Sequence, residues 1–380
     1  MSRLLILAND YKTIANFRME LLTRLLSEGH EVFLSLPTDE RNGVFEEMGC
    51  RVLPTPISRH GTNPLAEWKL LRTYRRMMRQ LRPACVLTFT VKPNIYGSFA
   101  AGGLKIPVIN NVTGLGSAMQ ANHPLRKLML WLQKRAYRRS SCVFFQNEEN
   151  LSYFRQCGVV GGQARLLPGS GVNLSLHSFC EYPTERDGID LAIVSRLRQD
   201  KGFDEFFAMV DAILSDEPSV RFHIIGWIEE ERYRSALSRY NNEPRVIYHG
   251  EVTQSEVHEL LRHCHCLCHP SYHEGMANVV MEAAAAGRPA LVSDISGCRE
   301  LVESGVTGMT FAPHDASALT EAVRSFLGMS EEQHKRMGRL AHEKMAREFD
   351  REIVIQNYLL QINAAVSGNA AERDDAYVSL

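Results

Sequence analysis

Residues 263–293 read HCHCLCHPSYHEGMANVVMEAAAAGRPALVS. The cysteine-rich run His263–His269 predicts a strand, and the polar residues from Pro270 onward predict a turn. A helix is predicted at Asn278–Ala286, and a second strand is predicted at Ala290–Ser293. Because short continuous apolar runs are typical of strands that are buried on both faces, the stretch predicts a strand–helix–strand unit of a parallel sheet.

The histidines and cysteines of the first of these strands also allow a metal-site interpretation. In an extended strand Cys264, Cys266 and Cys268 lie on one face, and His263, His265 and His269 lie on the other. Neighbours on one face of a strand seldom surround a tetrahedral ion without ligands from elsewhere. Cysteine also packs well as a small buried group. We therefore expect a structural strand and no metal.

The same alternation recurs along both halves of the chain. Further strands are predicted at Leu4–Ala8, Glu31–Leu36, Val86–Thr90, Val108–Asn111, Val143–Gln146, Leu191–Ser195, Val220–Ile225 and Val246–Gly250. Further helices are predicted around residues 17–26 and at Ala66–Leu81, Phe203–Ser215, Ser255–Arg262 and Ala316–Leu327, with two more between Ser330 and Val366. This repetition predicts the α/β class, with doubly wound parallel sheets.

The length of 380 residues favours two domains, because single cores usually stop growing near roughly 250–300 residues. A stretch rich in Gly, Ser and Pro at residues 168–187 predicts the linker. We expect one domain at 1–172, onto which a C-terminal helix at about 351–366 packs back. The other domain is expected at 188–349, and residues 367–380 are expected to form a flexible tail. Ligands of open α/β sheets bind beyond the carboxyl ends of the strands, so two facing sheets predict one cleft.

The net charge of −1 conceals a division between the two halves. Residues 1–172 contain 23 Lys and Arg against 11 Asp and Glu, whereas the remainder contains 20 against 33. A basic half suits a polyanion such as nucleic acid, a lipid pyrophosphate or an anionic membrane surface, although scattered solvated charge is the alternative. No apolar run reaches the roughly 18–20 residues of a membrane span. The start lacks a signal-peptide core, so we expect a cytoplasmic protein with reduced cysteines.

The turn and helix after the first quoted strand contain two glutamates suited to a polyol ligand. Glu274 lies in the turn and Glu282 in the helix, from which it can point back to the same edge of the sheet. Carboxylates accept hydrogen bonds from neighbouring hydroxyls of a sugar or a ribose. Gly275 allows close approach of a ligand, and the amides expected to be unpaired at the helix start are those of Met276, Ala277 and Asn278. The alternative is a helix-start Glu and a surface Glu.

A second polar stretch, Ser195–Gly202, also leads from a predicted strand into a predicted helix. Arg196 offers a planar fork of donors and Lys201 a compact charge, so the two could converge on a diphosphate. The alternative is an exposed basic loop. Because both stretches follow strands in the same half, a shared binding edge is the favoured interpretation.

Together, these residues resemble the donor site of retaining family 4 glycosyltransferases of GT-B fold. The resemblance covers most of residues 1–366 and includes 250–252, 293–294 and 305–308. It implies that Arg196 and Lys201 hold the donor diphosphate, and that Glu274 with the amides after it holds the transferred sugar. It further implies that Glu282 binds the ribose and that Val252 borders the base.

The resemblance also implies a mode of reaction. The leaving phosphate of such enzymes takes the acceptor proton on one face of the sugar, so no protein nucleophile is needed. No cluster of metal-binding carboxylates occurs in the sequence, so we expect no metal and no cofactor beyond the nucleotide-sugar donor. Arg196 and Lys201 would then supply the charge that a metal ion supplies elsewhere.

The first half resembles enzymes that extend polyprenyl-diphosphate-linked glycans, such as bacillosaminyl-diphospho-undecaprenol N-acetylgalactosaminyltransferases and relatives in O-antigen and capsule assembly. The matching motifs lie at 58–64, 90–94 and 111–116. This resemblance implies a UDP-linked N-acetylhexosamine donor and a lipid-linked acceptor bound by Arg18, Arg59, Lys92, Asn111, Thr113, Gly114 and Gly116. The first loop, Asn9–Lys12, lacks the family's paired glycines, and no His follows Asn111. No residue is therefore assigned to assist the acceptor hydroxyl.

Two basic segments support a lipid acceptor independently of the resemblance. Residues 68–82 and 125–139 interleave Lys and Arg with apolar and aromatic residues, a pattern typical of helices at membrane surfaces. We expect a peripheral position on the inner face of the cell membrane, although ordinary domain helices with solvated Arg faces are the alternative.

Two other functions stay open: a sugar-nucleotide epimerase on the same frame and a non-catalytic partner subunit. Nucleic-acid binding is not expected, because no recognised module is present.

Overall fold

A computed structural model describes residues 1–57, 63–114, 125–184 and 188–368. The chain divides into two compact units. Unit 1 comprises Met1–Ser170 and Glu352–Leu380, and unit 2 comprises Gly171–Arg351. The C-terminal segment therefore belongs to the same unit as the N-terminal half.

Unit 1 is built on a seven-stranded parallel sheet. Its strands are β1 (Arg3–Leu7), β2 (Glu31–Leu36), β3 (Arg51–Pro54), β4 (Cys85–Phe89), β5 (Val108–Val112), β6 (Cys142–Phe145) and β7 (Ala164–Leu166). Its helices in the first half are α1 (Tyr11–Ala15), α2 (Met19–Ser27), α3 (Gly43–Glu47), α4 (Pro64–Leu81), α5 (Ser98–Gly102), α6 (Arg126–Tyr137) and α7 (Glu148–Gln156). The strand order β3-β2-β1-β4-β5-β6-β7 reverses direction between β1 and β4.

Unit 2 contains a six-stranded parallel sheet. Its strands are β8 (Ile189–Val194), β9 (Val220–Ile225), β10 (Val246–Gly250), β11 (Cys266–His269), β12 (Ala290–Ser293) and β13 (Gly308–Phe311). Its helices are α8 (Phe203–Asp216), α9 (Arg232–Ser238), α10 (Gln254–His263), α11 (Asn278–Ala285), α12 (Ala316–Leu327) and α13 (Glu331–Glu348). The last helix, α14 (Arg351–Ser367), belongs to unit 1 from Glu352 onward. The order β10-β9-β8-β11-β12-β13 reverses between β8 and β11, which is the point where doubly wound sheets bind ligands.

Burial explains why the central strands were predictable from apolar runs. Every residue of β4, β5, β6, β11 and β12 is buried, because helices cover both faces of these sheets. The core of unit 1 also includes Val354, Tyr358 and Ile362 of α14, so this last helix completes the unit. Strands β3, β7 and β13 were not predicted. Each is a short strand at the edge of its sheet, where less apolar surface is buried.

The strand predicted at His263–His269 begins later than expected. His263 is the last residue of α10, and its Nε2 lies 2.9 Å from Glu259 Oε1 one turn earlier. The strand itself starts at Cys266, while Cys264 and His265 form the connection. All three cysteines of the run are buried and free. Burial raises the pKa of the Cys268 thiol to about 12, so the thiols are protonated and inert, as a structural strand requires.

The segment predicted as a linker is largely part of unit 2. The boundary between the units falls after Ser170, and the residues beyond it pack on unit 2. The Cys180 amide donates to the Ala286 carbonyl, and Arg288 Nη1 donates to the Cys180 carbonyl at 3.1 Å. Residues 185–187 lie outside the described part of the chain. Among the helices that are described, none combines the length and the hydropathy needed to cross a membrane.

Candidate donor site at the edge of the second sheet

The carboxyl ends of β8 and β11 lie side by side, because these strands pair in parallel with Leu191 opposite Cys266. Arg196 is the second residue after β8, and Lys201 ends a 3-10 turn at Gln199–Lys201 before α8. The loop after β11 contains Glu274 and leads into α11. The topology therefore brings both sequence-predicted stretches to one edge of the sheet.

Backbone contacts join the two loops. The Tyr272 amide donates to the Asp200 carbonyl at 2.9 Å. Gly202 has φ of +74°, and a Cβ atom at this position would collide with the Pro270 carbonyl oxygen. Only glycine allows this close approach at low cost, since it lacks a side chain and tolerates positive φ. This contact is what allows the Lys201 side chain to reach the second loop.

Lys201 and Glu274 form an ion pair at the centre of the site. Lys201 Nζ lies 2.6 Å from Glu274 Oε1, and the two side chains are only 14% and 15% exposed. The Ser271 hydroxyl lies 3.4 Å from the same ammonium group. His269 Nε2 lies 3.1 Å from Glu274 Oε1, and the ring is almost fully buried at the end of β11. His269 was interpreted from sequence as a structural strand residue, and only the fold reveals its contact with Glu274.

The ion pair keeps Glu274 ionised. Burial by itself raises the pKa of this carboxyl group, because it disfavours the charged form. The attraction of Lys201 and the hydrogen bond from His269 outweigh burial and lower the pKa of Glu274 to about 2. The site therefore presents an ionised carboxylate beside the Lys201 side chain, an arrangement that suits a ligand with both hydroxyls and negative charge.

Arg196 is held by an acidic partner from the next loop. Arg196 Nη1 lies 2.7 Å from Glu229 Oε2, and Arg198 Nη1 lies 3.0 Å from Glu229 Oε1. All three side chains are about one-third exposed. The Arg196 guanidinium carbon also lies 6.0 Å from the centre of the Trp227 ring. Glu229 and Trp227 follow β9, which neighbours β8, and neither was identified from the sequence.

Glu282 lies in α11, and no hydrogen bond or ion pair joins it to Lys201 or Glu274 in the described part of the chain. It is half-buried, and its carboxylate forms no hydrogen bond within the described ranges. Burial raises the pKa of Glu282 to about 7, although the positive charge of Arg351 acts in the opposite direction. A carboxyl group with this pKa is only partly ionised at neutral pH. A ligand whose hydroxyls donate to it would favour the charged form.

The predicted amides at the start of α11 are only partly available. The Ala277 amide donates to the Gly297 carbonyl at 2.9 Å, so the expectation that it is free for a ligand is wrong. The amides of Met276 and Asn278 have no partner in the part of the chain that the structure describes. The Asn278 Oδ1 atom at the same place is also buried, and none of the described residues forms a hydrogen bond with it. Gly275 joins this segment to Glu274. Of the three backbone amides predicted to be available to a ligand, those of Met276 and Asn278 remain, together with the side-chain oxygen of Asn278.

Val252 follows β10, at the same edge of the sheet as the other residues. It is half-buried and lies beyond β9, which separates β10 from β8. No contact joins Val252 to Arg196 or Lys201 within the described ranges. A ligand that reached from Lys201 to Val252 would therefore cross the end of β9, where the Trp227 side chain is 38% exposed.

The predicted acceptor residues that the structure describes lie near the carboxyl ends of β1, β4 and β5. Arg18 caps α2 and is 2% exposed, with its guanidinium carbon 4.8 Å from the Phe89 ring centre. Lys92 Nζ lies 2.6 Å from Glu67 Oε1, and both side chains are mostly buried. In this structure both cations are thus already engaged by protein groups.

The remaining acceptor residues differ in accessibility. Asn111 is 1% exposed, and its side-chain oxygen and nitrogen are buried without a hydrogen-bond partner among the described residues. Thr113 and Gly114 follow β5 and are half-buried. Arg59 and Gly116 fall outside the residues that the structure describes. Thr90 follows β4 with φ of +73°, a conformation that a β-branched residue rarely adopts. Such strain tends to mark functional edges.

A buried polar network that the sequence did not reveal supports this edge. The Asn110 Nδ2 atom donates to Thr88 Oγ1 at 2.7 Å and to Ser98 Oγ at 2.9 Å. Ser140 Oγ donates to Asn110 Oδ1 at 2.5 Å. Asn94 Nδ2 donates to the Asn111 carbonyl at 2.8 Å, which ties the motif after β4 to the end of β5.

Helices α4 and α6 carry matching exposed groups. The pattern Leu-x-x-Trp-x-x-x-Arg occurs on both, as Leu65, Trp68 and Arg72 on α4 and as Leu128, Trp131 and Arg135 on α6. The four apolar side chains are between 50% and 78% exposed. Each arginine lies over its tryptophan, at 4.5 Å on α4 and 5.6 Å on α6. Both helices pack on the segment at residues 93–97.

Two family models match this chain. Residues 13–169 match the glycosyl transferase 4-like domain, and residues 181–344 match the glycosyl transferases group 1. A relative from Campylobacter jejuni, N,N'-diacetylbacillosaminyl-diphospho-undecaprenol alpha-1,3-N-acetylgalactosaminyltransferase, is 27% identical over 364 residues. The match covers 91% of this chain and 94% of that protein.

Solved structures agree on the fold. Anabaena Alr3699/HepE in complex with UDP and glucose superposes with a TM-score of 0.77 at 17% identity, covering 96% of this chain and all of that one. Sucrose-phosphate synthase from Thermosynechococcus elongatus gives 0.78 at 17% identity, covering 97% of this chain and all of that one. Together with two parallel-sheet units and a polar strand edge, these matches show that the chain belongs to the group 1 glycosyltransferases of GT-B fold.

Proposed function

We propose that this glycosyltransferase moves a sugar, an N-acetylhexosamine, from a UDP-sugar to a polyprenyl-diphosphate-linked acceptor with retention of configuration. The observation that carries the proposal is the ion pair between Lys201 and Glu274 at the β8–β11 switch point, with Arg196 in the loop that follows β8. Cations and a carboxylate at this edge suit a diphosphate and a sugar respectively. The name of the Campylobacter jejuni relative supports an N-acetylhexosamine and a polyprenyl-diphosphate acceptor.

In the proposed reaction, the bond between the sugar anomeric carbon and the donor phosphate oxygen breaks. The acceptor hydroxyl oxygen bonds to the same carbon, and its proton passes to an oxygen of the departing UDP. Arg196 and Lys201 stabilise the charge that builds up on the diphosphate. No protein nucleophile and no cofactor besides the donor substrate take part.

The remaining donor contacts follow from the same orientation. Glu274 and the Met276 and Asn278 amides would hold the transferred sugar, because they lie on the loop that Lys201 touches. Glu282 would accept hydrogen bonds from the ribose hydroxyls, and these bonds would lower its pKa from about 7. The base would lie toward Val252 and pass the Trp227 ring, which is 38% exposed.

The acceptor would bind at unit 1, where the sheet edge carries a strained Thr90 and a buried Asn111 amide. We propose that α4 and α6 hold this unit against an anionic membrane, on the inner face of the cell membrane. Exposed tryptophans with cations behind them are suited to the boundary between lipid headgroups and acyl chains. A reaction in O-antigen, capsule or similar glycan assembly would fit such an acceptor.

A donor screen tests the proposal directly. UDP-, GDP- and ADP-sugars are compared by thermal shift, and a saturating UDP-N-acetylhexosamine is expected to raise stability by about 2–4 kcal/mol. Transfer to a short synthetic polyprenyl-diphosphate glycan is then followed by mass, and the anomeric configuration of the product is read by NMR. Stabilisation by only GDP- or ADP-sugars, or an inverted product, would contradict the proposal.

A further inference from the structure

His269 is a buried residue that the proposed reaction does not use. It ends β11 directly before the loop of Glu274, and its side chain is 5% exposed. Its Nε2 atom lies 3.1 Å from Glu274 Oε1. A buried imidazole at a ligand-binding strand end is therefore directed at one oxygen of the proposed sugar-binding carboxylate.

The direction of this hydrogen bond follows from the charge of Glu274. The ion pair with Lys201, at 2.6 Å, holds this carboxyl group in its ionised form, which can only accept hydrogen bonds. His269 Nε2 therefore carries the proton and donates. Glu274 Oε1 accepts from His269 and from Lys201 Nζ at 2.6 Å. Glu274 Oε2 has no hydrogen-bond partner among the described residues.

The two donors on Oε1 contribute differently. The Lys201 ammonium group is a compact charge on a flexible stem, and it attracts the carboxylate without defining its direction. The His269 ring is planar, buried and attached to a strand, so its N–H defines a direction. A carboxylate bound through one oxygen in this way keeps its second oxygen in one place, which is what the orientation of a reacting group requires.

We propose that His269 is a positioning residue that orients the Glu274 carboxylate, so that Oε1 is held by the protein and Oε2 is left for one hydroxyl of the transferred sugar. The inference rests on the proposed function, because it assumes that Glu274 holds the sugar. His269 itself touches neither substrate nor reacting atoms. Its effect on transfer passes entirely through Glu274.

Two variants of His269 separate positioning from packing. His269→Ala is expected to lower kcat roughly 10-fold to 100-fold, in line with a hydrogen bond to a charged group, while the affinity for UDP stays unchanged. His269→Gln retains a donor at a similar reach and is expected to recover most of the activity. A matched control is His265→Gln, because His265 is equally buried and binds the Asp190 amide instead. The control should change stability without a specific loss of kcat.

A double-mutant cycle provides the decisive measurement. If His269 acts through Glu274, the His269→Ala change should cost nothing further in the Glu274→Ala background. Full additivity, unchanged kcat in His269→Ala, or loss of UDP affinity in parallel with kcat would overturn the positioning role. If Glu274→Ala alone retained normal turnover, the proposed site would fail and this inference with it. A neutral His269→Ala beside an inactive Glu274→Ala would overturn the inference alone.

Discussion

The Lys201 ammonium group lies 2.6 Å from the Glu274 carboxylate, although 73 residues separate them in the chain. Each residue belongs to a loop that follows one of two neighbouring parallel strands, β8 and β11. Gly202 allows the two loops to touch, because any side chain there would collide with the Pro270 carbonyl. The ion pair is thus a product of the strand order, and it places opposite charges where doubly wound sheets bind ligands.

Removal of either member of this pair should abolish most transfer. Lys201→Ala and Glu274→Ala are each expected to reduce kcat/KM roughly 100-fold to 1,000-fold while the fold stays intact, since each removes a preorganised group from the reacting region. Steady-state transfer assays with circular dichroism measure both effects. Lys335→Ala is a suitable control, because it breaks an exposed ion pair with Glu331 on α13. Near-normal turnover in both site variants would disprove the site assignment.

Glu282 should make stability depend on pH. Burial raises its pKa from 4.5 to about 7, so the folded protein holds a proton that the unfolded chain releases. The free energy of unfolding therefore falls as pH rises from about 4.5 to about 7. Relative to Glu282→Gln, the wild type should lose about 1–3 kcal/mol between pH 5 and pH 7.5 in urea unfolding. Parallel pH profiles of the two proteins would contradict the raised pKa.

The same group should couple donor binding to proton release. If ribose hydroxyls donate to the ionised Glu282, UDP should bind more tightly at pH 8 than at pH 6. Calorimetry in buffers of different ionisation enthalpy should detect the released proton. In Glu282→Gln the pH dependence should disappear together with part of the affinity. A wild-type affinity that is constant across this range would argue against a ribose contact at Glu282.

Glu229 should weaken donor binding, because it occupies Arg196 and Arg198 in this structure. Glu229→Gln removes a negative charge from the place where the diphosphate is proposed to bind. We expect the Kd for UDP to fall by a few-fold, the size of effect typical of half-exposed ion pairs. Glu243→Gln is the matched control, since Glu243 pairs with Arg245 before β10 instead. Weaker binding in Glu229→Gln would mean that Glu229 orients Arg196 rather than competing for it.

The matching patterns on α4 and α6 should bind anionic membranes. We expect weaker binding to phosphatidylglycerol vesicles after neutralisation of Arg72, Arg75, Arg76 and Arg79, measured as the fraction of protein that sediments with the vesicles. The binding free energy should fall by roughly 1 kcal/mol for each cation that lies near the surface. Replacement of Trp68 and Trp131 by Ala should weaken binding to neutral vesicles as well. The control set with equal charge on unit 2 is Arg324, Arg336, Arg339 and Arg347. Unchanged sedimentation of the α4 variant would refute docking through that helix.

The central strands and the donor motifs could be identified from sequence because their signals are local. Buried parallel strands are continuous apolar runs, so β2, β9 and β12 were predicted with their observed bounds. The edge strand β10 was predicted with its observed bounds although none of its residues is buried, because it begins with β-branched and aromatic residues. The other edge strands, β3, β7 and β13, are shorter and were not predicted. The strand order itself was not readable, since it depends on contacts between distant segments.

The chemical environment of the site was decided by tertiary structure. Residue type and position after a predicted strand can both be read from a sequence. They are sufficient to predict the site residues Arg196, Lys201, Glu274 and Glu282. The roles of Glu229 and His269, the occupied amide of Ala277 and the pKa of Glu282 arise from neighbours that folding brings together. Hydrogen bonds and burial act over a few ångströms, and separation along the chain does not record such distances. Residue types and their order therefore determined the family and the groups available for chemistry, whereas the packing of loops onto strand ends decided how those groups are charged and oriented.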